Sequence, residues 1–579
     1  MRGCVRSCQR ARNFLTTHAI RPRDQPPAEI LSALCCGVVL SSSQLQLACK
    51  PRFKPCSMTT NLIPMNGAES LIRTLVANGV DTCFANPGTS EMHFVAALDK
   101  VNGMRCVLCL FEGVATGAAD GYYRMAERPA ATLLHLGPGL ANGLANLHNA
   151  KKAGSGIVNI VGEHASYHIR CNAPLTADIE GIARAASHWV RTSASSKAVA
   201  SDGADAIAAA SAPPGHIATL ILPADTAWEP ADGVARAPAV ARRRAVSDQS
   251  VEAAAKALTA GRPVALLLGG AAVREGSLYL AGQIAAATGC TLLSEFGLSR
   301  LQRGAGRVRT RRIPYPIDAA VALLKEFKSL VLVGAKTPVG FFAYPSKPSF
   351  LMPNTCQVTE LATIEDDIAG ALEALVDRVG ARSLAPVGVA PLARPGLPSG
   401  RITAEGIGAM LGALLPENSI VVDEAISTGR GLDSPTAGAP PHDWLNIVGG
   451  SIGFGLPAAT GAAIASPDRT VVVLEGDGSA MYTLQALWTM AREKLNIKIL
   501  VFANRGYQIL KGELANISPA QPEGKASGIL TLDNPALDWV AIAKGHGVAA
   551  SSVDDLDSLA SEFRRALARH GPHLIEVVS

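Results

Sequence analysis

The chain has 579 residues, 48% hydrophobic but only 4% aromatic, enough apolar content to fill roughly three or four domains of about 150 residues. Its net charge of +5 is uneven: residues 1–58 hold nine Lys/Arg against two Asp/Glu, so the remainder stands near −2. That remainder carries no basic stripe of the kind a nucleic-acid binder needs. Its alanine-rich, aromatic-poor composition argues against an all-β sandwich and for α/β architecture, helices packed closely on parallel sheets.

Residues 1–64 read as a leader outside the fold. "MRGCVRSCQRARNFLTTHAI" is Arg-rich and acid-poor, which leaves two readings open, a mitochondrial transit peptide or an upstream start codon before Met58 or Met65. The apolar run "LSALCCGVVL" is far short of the roughly 20 residues a membrane span needs. Six of the 12 cysteines lie in this leader, and the others form no Cys/His cluster of zinc spacing. The expectation is a reduced cytoplasmic protein, mitochondrial if the leader is a genuine transit signal, with neither membrane nor nucleic acid as partner.

From Met65, "AESLIRTLVANGV" places Leu71, Ile72, Leu75 and Val76 on one helical face, with Asn78-Gly79 as its stop. The strand "DTCFA" then runs into "NPGTSE", and strand, turn and helix alternate to about Pro230, the pattern of a parallel sheet. Thr89 in that turn can cap the helix "SEMHFVAALDK". In "CVLCLFEGVATGAADGY", Glu112 follows six residues of strand and precedes a run of Gly and Ala. It is either an ordinary strand-end or helix-start acid, or an isolated acid of an apolar site. His135 ends the strand "TLLHL" before a Gly-rich loop; it either moves a proton near working pH or bonds to loop carbonyls. His148 and His164 read as structural.

Residues 247–380 form a second α/β unit, in which "RPVALLLGGAA" and "SLVLVGAKTP" are buried parallel strands. Neither ends in a GxGxxG fingerprint. Residues 381–402 are a Pro/Gly-rich linker, and 403–579 a third domain with a helix near Ala404–Leu415 and the strand "SIVVDEA". There the apolar run of "LEGDGSA" gives way to Asp477 between Gly476 and Gly478. "SAMYTLQALWTMAREKL" reads as one amphipathic helix and "IKILVFA" as the next strand, ending at Asn504. One βαβ crossover puts Asp477 and Asn504 at the same carboxyl edge. Two oxygen side chains with loop carbonyls suit Mg²⁺, and bare N–H groups at Gly478 and Ser479 suit a phosphate. The alternative is a structural turn with Asp477 as helix cap.

GDG followed one βαβ unit later by Asn resembles the motif of thiamine diphosphate (ThDP)-dependent enzymes, and "GGSIGFGLPAATGAAIA" before it resembles acetolactate synthases and benzoylformate decarboxylases. The resemblance implies three doubly wound parallel-sheet domains: pyrimidine-binding (65–230), central (247–380) and diphosphate/Mg-binding (403–579). It also implies that Glu112 engages the cofactor's pyrimidine, that Ile452 is the apolar wedge folding the cofactor, and that the Gly450 carbonyl receives its amino group. Gly476, Gly478 and Ser479 would face the diphosphate, with Asp477, Asn504 and the Gly506 carbonyl on the metal. Thr89 takes the place of a substrate-facing serine, and His135 stands near the reacting carbon. Sites between two chains of a homodimer or homotetramer are implied as well.

The chain departs from that family at several points. Ala503 replaces the first of two asparagines; Leu175 and Thr176 stand where acetolactate synthases carry Gln and Glu, and Ala224 where they carry Lys. The expected function is decarboxylation of a 2-oxo acid with carboligation, acetolactate synthase-like and provisionally in branched-chain amino acid biosynthesis. The alternatives are simple benzoylformate-type decarboxylation and a non-catalytic ThDP-binding homologue. FAD has room in the central domain, but no motif demands it. Lys511 and Glu513 receive no role.

Overall fold

The computed structural model describes residues 65–517 and 525–579; the readings made for the leader, 1–64, lie outside the described residues. Strands β1 (Thr82–Asn86), β2 (Arg105–Leu108), β3 (Ala130–Leu134), β4 (Ile157–Glu163), β5 (Trp189–Thr192) and β6 (Ile217–Pro223) form a parallel sheet ordered β2-β1-β3-β4-β6-β5. The central strands β3, β4 and β6 are buried along their whole length, as expected when helices cover both faces.

The next strands are β7 (Val264–Leu268), β8 (Thr291–Ser294), β9 (Leu301–Arg303), β10 (Arg311–Arg312), β11 (Ser329–Val333) and β12 (Gln357–Ala362). Five make a second parallel sheet, β10-β8-β7-β11-β12. The last six are β13 (Ile420–Glu424), β14 (His442–Asn446), β15 (Val471–Gly476), β16 (Ile497–Ala503), β17 (Ala549–Val553) and β18 (His573–Val578), in the order β17-β18-β16-β15-β13-β14-β9. β9 departs from the all-parallel expectation by pairing antiparallel with β14. Arg303 on β9 explains the attachment: its guanidinium lies 5.0 Å over the Trp444 ring and pairs with Asp433 at 2.8 Å.

Two helices lock the first and third sheets together. Glu112–Ala126 and Gly455–Ala465 share one apolar core, and they cross so closely that a Cβ on Gly461 would overlap the Ala118 carbonyl. Arg124 crosses the same seam. It forms a buried pair with Asp120 (2.8 and 2.7 Å), donates to the carbonyls of Asn446 (2.7 Å) and Ser299 (3.2 Å), and lies 4.5 Å over the Phe454 ring.

Three local readings are corrected. The segment after His135 is the helix Leu136–Ala153 rather than a Gly-rich loop. β2 stops at Leu108, short of the strand read up to Phe111, and of the two local readings of Glu112 the helix start is the one found. The segment after Asp477 is two short helices, Asp477–Ala480 and Ala486–Arg492, separated by a turn in which Thr483 donates to the Gly453 carbonyl at 3.0 Å. Cys106 and Cys109 have CxxC spacing but remain free thiols, the first exposed and the second buried. Among the described residues no helix is long and apolar enough to cross a membrane.

Candidate active site

Glu112 is buried at the start of its helix, and its Oε2 accepts from Asn142 Nδ2 at 3.0 Å. Asn142 belongs to the Leu136–Ala153 helix, whose next turns present Asn146 and Asn149 on the same face. Asn146 Nδ2 donates to both Gly113 O (2.9 Å) and Gly453 O (3.0 Å). Asn149 Nδ2 donates to Ser451 O at 2.7 Å, and its Oδ1 accepts from Ser451 N at 3.2 Å. His148, read as structural, bonds to Gly449 O at 3.0 Å. One helix face therefore ties Glu112 to the glycine-rich loop that holds Gly450 and Ile452. The asparagine ladder at i, i+4 and i+7 is its sequence signal, and it went unassigned.

His135 lies beside Glu112: a Cβ at Gly139 would stand 3.1 Å from Glu112 Oε1 and 3.3 Å from His135 Cβ. Rather than bonding to loop carbonyls, His135 Nδ1 pairs with Glu91 Oε2 at 2.8 Å. Glu91 also accepts from Gly88 N at 2.7 Å, its second oxygen is buried without a partner, and burial pushes its carboxyl up. With Nδ1 engaged, Nε2 is the imidazole nitrogen left for another partner. Glu91 was not anticipated, since an acid three residues after a glycine reads as a helix-start residue. Thr89 is exposed on the turn Thr89–Glu91 and caps neither that turn nor the following helix.

At the third sheet, Gly476 on β15 is in register with Phe502 on β16, which brings Asp477 and Asn504 to one edge. Asp477 Oδ2 accepts from Arg505 N at 2.7 Å and Oδ1 from Gly478 N at 2.9 Å. The Gly478 N–H is thus engaged rather than bare, a correction to the phosphate reading at that atom. Asn504 Oδ1 accepts from Gly506 N at 3.1 Å. Burial pushes the Asp477 carboxyl up, and no side-chain cation pairs with it among the described residues. A buried carboxylate in no ion pair, with the Lys511 charge nearby, beside an amide oxygen and the Gly506 carbonyl, is a hard-oxygen donor set that fits Mg²⁺. Among the described residues no cluster of three His, Cys, Asp or Glu offers a rival metal site.

The glycine-rich loop is also held from below. Glu424, at the end of β13, accepts from Gly453 N at 2.8 Å and Gly455 N at 2.5 Å. Register sets Glu475 beside it. Burial pushes Glu424 up to about 7, and burial followed by the Glu424 charge pushes Glu475 well up. Above the loop, the Phe341 ring stands 2.8 Å from where a Gly450 Cβ would be. Phe341 belongs to an exposed aromatic group from the central domain: ring centroids are 5.3 Å apart for Phe296–Tyr315, 5.7 Å for Tyr315–Phe341 and 4.9 Å for Phe341–Phe342. Arg312 and Arg430 lie over the Phe296 and Tyr315 rings, and Tyr344 donates to Glu513 at 2.7 Å. These rings are scattered through the sequence and carry no periodic signal.

Two family descriptions match the chain: the thiamine pyrophosphate enzyme N-terminal TPP binding domain over residues 65–187, and the C-terminal TPP binding domain over 436–577. A Mycobacterium tuberculosis protein with the provisional name acetolactate synthase large subunit IlvX is 50% identical over 515 residues, 89% of this chain and 99% of that protein. Benzoylformate decarboxylase of Pseudomonas aeruginosa is 30% identical, covering 86% of this chain and 96% of its own. The fold matches that of Rhodococcus jostii 4-hydroxybenzoylformate decarboxylase with a TM-score of 0.77 at 24% identity, over 89% of this chain and 99% of that one.

Proposed function

Because the chain belongs to the thiamine diphosphate-dependent enzymes related to acetolactate synthase and benzoylformate decarboxylase, we propose that it decarboxylates a 2-oxo acid with ThDP held through Mg²⁺. The observation that carries this reading is Glu112, a buried carboxyl hydrogen-bonded to Asn142 and tied through Asn146 to the glycine-rich loop. Bound ThDP supplies an electron sink for loss of CO₂. Glu112 would hydrogen-bond the pyrimidine ring nitrogen, Ile452 and the Gly450 carbonyl would orient the ring system, and Asp477, Asn504 and the Gly506 carbonyl would take the metal. Gly476, Gly478 and Ser479 would face the diphosphate. His135, steadied by Glu91, moves a proton at Nε2, while the Thr89 hydroxyl binds the substrate carboxylate. The active unit is a homodimer or homotetramer with sites at the subunit interface.

The aromatic group against Gly450 favours a donor with a large apolar or aryl substituent, because pyruvate has nothing to lay against Phe341 and Phe342. The Arg312 and Arg430 guanidinium groups already on the neighbouring rings disfavour a cationic donor. Leu175, which is exposed, and Ala224, which is buried, lack the polar groups that the synthase pattern uses for a second substrate. Simple decarboxylation is thus the favoured reaction and carboligation the second reading.

The test is turnover of purified protein with ThDP and Mg²⁺ on pyruvate, benzoylformate and longer 2-oxo acids, following CO₂ and identifying every carbon product. Aldehyde from the aryl donor, lost by roughly 100-fold or more in Glu112→Gln, is expected. Acetolactate from pyruvate as the main product overturns the decarboxylase reading, and full activity of Glu112→Gln overturns the role of Glu112.

A further inference from the structure

We infer that Glu424 is a positioning residue for the cofactor: by holding the backbone amides of Gly453 and Gly455, its buried carboxylate sets the shape of the loop that presents Gly450 and Ile452. This rests on the cofactor reading above. The loop has no regular hydrogen-bond pattern of its own, and its turns pass through φ +77° at Gly450 and φ +92° at Gly453. Its shape is therefore decided from outside.

The Gly453 and Ser451 carbonyls are held by neutral donors, Asn146 and Thr483 on the first and Asn149 on the second, and Asn149 Oδ1 also accepts from Ser451 N. The amides of Gly453 and Gly455 are held by Glu424, one carboxylate oxygen on each at 2.8 and 2.5 Å. Gly455 opens the helix Gly455–Ala465, so the carboxylate also sits at that helix's positive end. Glu424 is 1% exposed, and an acid at such depth is a costly way to hold two amides unless their placement matters. β13 also pairs directly with β15, the strand that ends at the Asp477 turn. One sheet edge thus fixes both the ring-holding loop and the turn for the metal and diphosphate.

Glutamine in place of Glu424 has nearly the same size but a single acceptor oxygen, so one loop amide loses its partner. Binding of ThDP should weaken by roughly 10- to 100-fold, the worth of one charged hydrogen bond. Inorganic pyrophosphate engages only the Asp477 turn, so its affinity should not change.

The experiment is calorimetric titration of ThDP and of pyrophosphate, each with Mg²⁺, into the wild type, Glu424→Gln and Glu424→Asp, with melting of the apo proteins alongside. Loss of ThDP affinity with pyrophosphate affinity retained in Glu424→Gln, and a smaller loss in Glu424→Asp, supports the inference. Unchanged ThDP affinity, or a parallel loss of both ligands, overturns it. Failure of both variants to fold overturns it too, because Glu424 is then structural. Absence of ThDP binding to the wild type overturns the cofactor reading as well, and is seen before any variant is made.

Discussion

Glu295 follows β8 directly and turns back into the crevice between β7 and β11, the point where the strand order β10-β8-β7-β11-β12 changes direction. Ligands of open α/β sheets bind at such a switch point. Here the carboxylate fills it: Oε1 accepts from Lys336 N at 3.0 Å, and Oε2 occupies the space where a Cβ on Gly269 would be. Burial pushes the carboxyl from its ordinary 4.5 up to about 7. Between those two values the folded chain keeps a proton that the unfolded chain has released, so folding is disfavoured as pH rises through that window. The displacement corresponds to ~3 kcal/mol by about pH 8, an upper figure for this half-buried group. Glu295→Gln keeps the acceptor for Lys336 and cannot ionise. Its melting temperature should match the wild type near pH 4.5 and exceed it by several degrees at pH 8. A difference that does not vary with pH, or a less stable variant at pH 8, refutes the reasoning. At pH 8, where the Glu295 carboxyl is ionised, it should repel a dinucleotide's phosphates, so FAD added to the wild type should not survive gel filtration with the protein at that pH.

Two further outcomes are expected. Arg124→Met leaves Asp120 buried without its cation at the seam between the first and third sheets; the cost should be about 3–5 kcal/mol, read as a fall in melting temperature, and a neutral variant would contradict the assignment. Asp477→Asn removes a carboxylate that burial disfavours but leaves one of the Arg505 and Gly478 amides without its acceptor, so the two effects oppose each other and apo stability at neutral pH should change little. Its Mg²⁺-dependent ThDP affinity should fall by at least the roughly 10–100-fold that loss of a mere supporting group costs a metal site. Equal affinity with Mg²⁺ and with chelator in the wild type would remove Asp477 from the metal.

What the sequence discloses about this protein depends on how far apart the cooperating residues stand. Asp477 and Asn504 were readable because one crossover joins them, and a crossover between adjacent parallel strands fixes its two ends at one edge. Glu112 was readable as an acid isolated among small residues at a strand end or helix start, although the early end of β2 at Leu108 was not, because the break at Cys109–Phe111 has no Pro or Gly to mark it. The helical period after Asp477 was read correctly but its continuity was not; the Gly453 carbonyl draws Thr483 out of line, a tertiary contact that no local propensity encodes.

The supporting residues were hidden for the same reason in stronger form. Glu91 and His135, Glu424 and Gly453, and Phe341 and Gly450 each meet across different strands, turns or domains. Read along the chain, every one of these acids is a plausible surface or capping residue and every ring a plausible core residue. Strand register alone decides that Glu424 and Glu475 lie side by side beneath the loop. A substitution at Glu424 is therefore the sharper probe of how this site is assembled: a motif residue can be recognised without knowing the fold, whereas Glu424 acquires its role only from the fold.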